Sequence, residues 1–217
     1  METVAYESTA KEGKITELRA LLAEKFPHQD VKPSGASPIA MGRGLPELQR
    51  GIVTEVSGSI GSGAVFLETL ITSVQAAGTM MALVDGSSGF DPAQLGLRLT
   101  RLLWVLCKDA QTAIKATDLL LRDGNLPLVV LDLQMNAAKD LRRIPATTWY
   151  RFQRMMEQSA ATFVVLTARP LVSSAAERFE FHNRWTLRAM QQHRTKMRLV
   201  MECAHRRTLV AMERRTA

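Results

Sequence analysis

Apolar and polar positions follow two different periods along this chain. From residue 39 onward, short apolar runs recur at regular intervals: Ile52–Ser57, Met80–Asp85, Leu102–Cys107, Leu128–Leu133 and Thr162–Thr167. Most are nearly uninterrupted, which predicts strands covered on both faces. Between them lie stretches with helical character, Val65–Ala77, Pro92–Leu99, Ala110–Asp123 and Thr148–Gln158. Alternating strands and helices predict an α/β domain with a mostly parallel central sheet and right-handed crossovers. After Pro170 the period falls to two. RFEFHNRWTL sets Phe179, Phe181, Asn183, Trp185 and Leu187 on one side, with Trp185 expected in the core. MRLVMEC and TLVAM are further strand candidates, so an antiparallel C-terminal extension is expected on one sheet edge.

Ahead of this domain, KITELRALLAEKF carries Ile15, Leu18, Leu21, Leu22 and Phe26 at helical spacing, with charge on the opposite face. The stretch that follows, PHQDVKPSGASP, has the Pro, Gly and Ser content of a linker. The expected organisation is an N-terminal amphipathic helix region over 1–26, a linker over 27–38, a core over 39–178, and basic C-terminal strands and tail over 179–217. The helix stripe must pack on something, either its own domain or a neighbour, and it is the leading candidate for partner binding.

Charge adds one feature. The net charge of +7 is confined to the end of the chain: residues 184–217 hold nine Lys/Arg and two Asp/Glu, and the remainder holds nineteen of each sign. Clustered arginines can neutralise phosphates, meet an acidic partner, or simply form a solvated face. Cys107 and Cys203 lie far apart and the four histidines are scattered, so no metal site is expected. No apolar run approaches the length of a membrane span. METVAYESTAKEGK lacks the apolar core of a signal peptide, so a cytoplasmic location and no membrane partner are expected.

The candidate chemistry lies in EVSGSIGSGAVFLETL, residues 55–70, where a strand end, a glycine-rich turn and a helix start follow one another. Gly58 and Gly63 have the spacing of G-x-x-x-x-G, while Gly61 and Ser62 keep the turn small. In a phosphate loop, backbone N–H groups cradle the phosphates, a lysine reaches the terminal ones, and the next hydroxyl binds Mg²⁺. Those last two positions hold Ala64 and Val65. Asp132, at the end of LPLVVLD, can hold Mg²⁺ through water or cap the next turn. Asp85 and Asp91 are the nearby carboxylates that could position a water, although Asp91 before Pro92 reads as a helix-start residue. The candidate nucleotide site is therefore Gly58, Gly61, Ser62, Gly63 and Asp132, read as vestigial. No ATP or magnesium cofactor and no enzymatic activity are expected.

The order of these features resembles the core of RecA, the bacterial recombinase. The stretch from GLPELQRGIVTEV to GSSGFDPAQL matches a Gly-Leu-Pro lead-in, a strand, the phosphate loop, a helix and a strand ending in an aspartate followed by Asp-Pro. The similarity continues through LLWVLCKDAQTAIKATDLLLRDGNLPLVVLDL and covers roughly 39–170. It implies that the phosphate-loop lysine and threonine fall on Ala64 and Val65, the catalytic glutamate on Ser87, and the phosphate-sensing glutamine near Thr167, with the Walker B aspartate kept as Asp132. It also places Arg142 and Arg143 at the first DNA loop and Arg169 at the second. With Arg206 and Arg207 these are candidate contacts for DNA or an acidic partner, weighed evenly against plain surface arginines. Trp149 and Tyr150 could stack on bases, though packing at a helix start is favoured.

A degenerate RecA-like domain of this length is similar to the ImuA (SulA-like) family of mutasome accessory proteins. That resemblance implies a non-catalytic role in SOS-induced translesion synthesis. The implied partners are an ImuB-type polymerase-like protein, RecA and an error-prone replicative-type polymerase, with self-association through the N-terminal helix. The alternatives are a divergent ATPase whose missing cation comes from Arg50 or a neighbouring subunit, and a DNA-binding module using the arginine-rich end.

Overall fold

The computed structural model describes residues 37–42, 45–95, 99–183, 185–192 and 196–206. The N-terminal helix candidate (Ile15, Leu18, Leu21, Leu22), the TLVAM strand candidate and Arg207 lie outside them.

The elements in chain order are β1 (Val53–Ser57), α1 (Ile60–Ala76), β2 (Met81–Asp85), a 3₁₀ turn (Pro92–Leu95), β3 (Leu102–Leu106), α2 (Ala110–Asp123), β4 (Leu128–Asp132), α3 (Ala138–Leu141), α4 (Ala146–Glu157), β5 (Thr162–Thr167), β6 (Glu177–Phe181), α5 (Leu187–Met190) and β7 (Met201–Arg206). One seven-stranded sheet runs in the order β3-β2-β4-β5-β1-β6-β7. All pairs are parallel except β6 with β7. The fold is thus the expected mostly parallel α/β sheet with an antiparallel edge pair. The expected boundary at 178/179 falls inside β6, which pairs with β1 and completes the parallel part of the sheet.

Local chemistry sets the ends of the helices. Asp109 caps α2 by accepting from the Thr112 N–H at 2.7 Å, and Gly124 ends it with φ of 71°. Helix α2 buries Ala110, Ala113, Thr117, Leu120 and Leu121, and α4 buries Thr148, Trp149, Phe152 and Met156. Both helices cover one sheet face, against Val84, Leu131, Phe163 and Val165. Helix α1 covers the other, where Phe66, Leu70 and Ile71 meet Leu83, Val130, Val164 and Phe179. Two expectations need correction. The helix expected from Val65 begins at Ile60, because Ser59 supplies an N-cap that accepts from the Ser62 N–H. The helix expected over Pro92–Leu99 is a 3₁₀ turn over Pro92–Leu95, its start set by Asp91 accepting from the Ala93 N–H.

A buried ion pair ties the C-terminal strands to this frame. Glu55, in the middle of β1, is fully buried, and its Oε2 receives Arg178 Nε from β6 at 2.7 Å. Its Oε1 accepts from the Thr167 hydroxyl and from the Leu171 and Val172 N–H groups. Arg178 also donates to the Val172 carbonyl. Removing one member of a buried pair leaves an uncompensated charge and typically costs about 3–5 kcal/mol. Arg178→Ala should therefore cost about 3 kcal/mol or more in urea unfolding. A loss below about 1 kcal/mol would mean that the pair behaves as a surface bridge.

Candidate functional site

The turn after β1 sits at the carboxyl end of the sheet, where open parallel sheets bind ligands. Residues 60–63 already belong to α1, and the Gly63 N–H is spent on the Ser59 carbonyl at 3.1 Å. Gly58 has φ of 140°, and a Cβ there would lie 2.9 Å from Phe181 Cβ and 3.3 Å from the Phe181 nitrogen. Glycine is needed at this point so that β1 can turn beside β6. Gly61 is exposed and has only the Trp185 ring edge near it, at 3.9 Å from a Cβ.

Two side chains close on the turn. Gln134, two residues beyond Asp132, is buried and donates through Nε2 to the Gly58 carbonyl at 3.3 Å. Its amide lies directly against Gly63, where any Cβ would overlap it. Trp185 donates through Nε1 to Ser62 Oγ at 3.3 Å, and Ser62 is itself within hydrogen-bond distance of Ser59 Oγ. Trp185 is half-buried and lies beyond the end of β6, so the expectation of a core residue in an alternating strand is corrected. Its ring is held by the turn that it covers. Val65 is buried and Ala64 half-buried, and neither offers a polar atom.

Asp85 and Asp132 end neighbouring strands in direct register. Asp85 is fully buried and accepts from the N–H groups of Ser87, Gly89 and Phe90, which closes the loop after β2 around its carboxylate. Asp132 accepts only the Gln134 N–H, at 3.0 Å, among the described residues. Burial, reinforced by the Asp85 charge and opposed by the Gln134 N–H, pushes the Asp132 carboxyl up to about 6. Thr167 is buried and directs its hydroxyl to Glu55, and Asp91 caps the following 3₁₀ turn.

The candidate arginines fall into two places. Arg142 and Arg143 are exposed in the β4–α4 connection, with Arg143 3.6 Å from Asp140. Arg169 is exposed in the β5–β6 connection, at the same end of the sheet. By backbone register Arg206 stands opposite Glu177 at the amino end of β6, about 13 Å away by strand rise. The two places lie at opposite ends of the sheet. Trp149 is buried on α4, and Tyr150 stands exposed beside it. Arg50 lies before β1 and donates to the carbonyls of Ser37 and Ala160, at the amino ends of the strands. It cannot replace a phosphate-loop lysine at the opposite end. Sequence reading missed Glu55 and Gln134. A lone acid inside an apolar strand was the available signal for Glu55, whereas nothing local distinguishes Gln134.

No family model matches the chain. Its sequence is similar to Protein RecA of Streptomyces avermitilis, 32% identical over 107 residues that cover 48% of this chain and 28% of that protein. It is also similar to Protein RecA of Leifsonia xyli, 30% identical over 124 residues (55% of this chain, 34% of that protein), and of Clavibacter michiganensis, 29% identical over 136 residues (61% and 37%). The chain thus spans between 28% and 37% of the length of these relatives. With the sheet order above, this similarity makes the core RecA-like in fold. Among the described residues no helix is long and apolar enough to cross a membrane, and no cluster of metal-ligating side chains is present.

Two outcomes follow. Gly58→Ala should cost about 1–3 kcal/mol, whereas Gly61→Ala should be neutral or stabilising by up to about 1 kcal/mol. Gly63→Ala should destabilise in the native background and recover when Gln134 is also made Ala, as read by chemical denaturation. Equal effects at all three glycines would contradict this turn geometry. For Asp132 the folded pKa is raised above its unfolded value, so the native state disfavours ionisation. Its contribution is neutral below about pH 4 and costs stability as pH rises through about 6, approaching roughly 2–3 kcal/mol. Asp132→Asn keeps the acceptor for Gln134 and should stabilise the fold above pH 6 but not at pH 4. A pH-independent difference in melting temperature would contradict the shift.

Proposed function

We propose that this protein is a non-catalytic RecA-like adaptor in SOS-induced translesion DNA synthesis, of the kind represented by the ImuA mutasome proteins. The observation that carries this reading is the Gln134 amide seated against Gly63, where a phosphate loop leaves room for its ligand. The residues present do not fit a magnesium–triphosphate. Gly63 has spent its N–H, Ala64 and Val65 supply neither cation nor hydroxyl, and Ser87 carries no carboxylate. Asp132 stands at the Walker B position with its backbone partner already chosen. The reading is therefore of a degenerate Walker A turn without ATP or magnesium.

In this role the protein works in the cytoplasm through its surfaces. The 14–26 segment docks on a partner or a second copy through Ile15, Leu18, Leu21 and Leu22. Arg142, Arg143 and Arg169 offer exposed cations for DNA or an acidic partner. The partners are an ImuB-type polymerase-like protein, RecA, and the error-prone polymerase of the same assembly.

Two measurements test this. Calorimetry with ATP and Mg²⁺ should give no saturable binding, and single-stranded DNA should stimulate no hydrolysis above background. Robust DNA-stimulated turnover would overturn the non-catalytic reading and favour a divergent ATPase. Affinity capture from DNA-damaged cells should recover the ImuB-type protein, and Leu18→Asp with Leu21→Asp should abolish that recovery.

A further inference from the structure

Strand β3 is one edge of the sheet, and among the described residues it pairs only with β2. Its sequence, LLWVL, lacks the charge, proline or bulge with which exposed edges are usually blunted. Two of its side chains are open to solvent, Trp104 at 37% and Leu106 at 58% of full exposure. The reason is topological. A parallel crossover usually lays a helix on the sheet, but the described part of the β2–β3 connection holds only the 3₁₀ turn Pro92–Leu95. Phe90, from that connection, meets the Trp104 ring edge-on with centroids 5.5 Å apart. It steadies Trp104 on the sheet face shared with Leu102 and Leu106.

The backbone of β3 alternates in the same way. The Arg101 carbonyl accepts from the Met81 N–H at 3.0 Å, and the Cys107 N–H donates to the Asp85 carbonyl at 2.8 Å. Odd-numbered residues of β3 therefore turn their N–H and C=O groups toward β2. Those of Leu102, Trp104 and Leu106 point to the open edge. The side chains that lie bare and the backbone groups that lack a ladder thus belong to the same three residues.

We infer that β3 pairs antiparallel with β3 of a second copy of this chain, about a two-fold axis through Trp104, so that the two sheets join into one. Trp104 then stands opposite Trp104, and Leu102 of each copy opposite Leu106 of the other. In an antiparallel ladder, every second opposed pair exchanges both hydrogen bonds. Here these are the outward-facing residues, so each outward N–H meets an outward carbonyl. A shift of one residue would set them against groups that β2 already uses. A shift of two would leave Leu102 or Leu106 with no strand residue opposite. The pairing gathers the apolar side chains of both copies on one face, where cross-strand contacts stabilise a sheet. It is also self-complementary in charge, as a two-fold contact must be. Arg101, exposed, lies diagonal to Asp109 of the second copy, whose backbone is still extended at φ −157° and ψ 166°. The contact uses neither the Gly58–Gly63 turn nor the 14–26 segment, so it is independent of the adaptor reading.

Sedimentation equilibrium of the full chain should show association that stops at two copies. Leu106→Lys, at a position open enough to leave the fold intact, should weaken the dimer about tenfold or more. Repeating the measurement with Leu18→Asp and Leu21→Asp separates this contact from association through the 14–26 segment, and the dimer should persist. Cysteines in a Cys203→Ser background read the register. Trp104→Cys should form an interchain disulfide on mild oxidation, since opposed Cα atoms lie about 5.5 Å apart. Leu106→Cys should not link to itself, because the two copies of that residue are offset by about 13 Å. If a β3 variant fails to fold, hydrogen exchange on the unaltered chain decides: the Leu102, Trp104 and Leu106 amides should exchange slowly in the dimer and fast on dilution. A monomer at all concentrations up to about 100 µM would overturn the inference, as would growth past two copies. So would a dimer untouched by Leu106→Lys, one lost with the Leu18 and Leu21 changes, or one that links through Leu106→Cys and not through Trp104→Cys.

Discussion

The carboxylate of Glu55 is sealed from solvent, and four donors converge on it from β5, the β5–β6 connection and β6. An ionised group in that position is tolerable only when every lone pair is met. The requirement fixes where residues 167–178 run, and it holds β6 in register beside β1. Beyond β6 the chain continues over the Gly58–Gly63 turn and sets Trp185 on Ser62. A charge buried in β1 thus determines what covers the end of the sheet.

Much of this frame was legible in the sequence. Five mostly apolar runs became five parallel strands within a residue of their expected ends, because β2, β4 and β5 are buried along their whole length and their runs stay apolar up to the closing residues. Helix α2 matched its expected bounds, since Asp109 and Gly124 announce both termini. The misses have physical reasons. The start of α1 was obscured by glycines, which read as a loop although Ser59 caps a helix there. Trp185 was read by period as a strand residue, but the strand ends at Phe181.

The candidate site was legible as a position and illegible as a shape. Spacing located Gly58, Gly61, Ser62, Gly63 and Asp132 at the carboxyl end of the sheet. It gave no sign that Gln134 would lie between the β4 end and the turn, because that contact joins residues 76 apart in the chain. The arginines teach the same lesson. Arg142, Arg143 and Arg169 share one end of the sheet and Arg206 stands at the other, a division set by the antiparallel direction of β7 that charge counting does not register.

Gly58 carries a wider consequence. Its side-chain position is occupied by the backbone and Cβ of Phe181, a neighbour in the next strand of the sheet. Any chain that keeps β1 and β6 paired in this register must keep a glycine there, whatever the turn does or does not bind. A glycine in such a turn can in this way be required by strand packing alone, independent of any ligand. The informative residues in such a turn are those that a sheet has no steric reason to preserve.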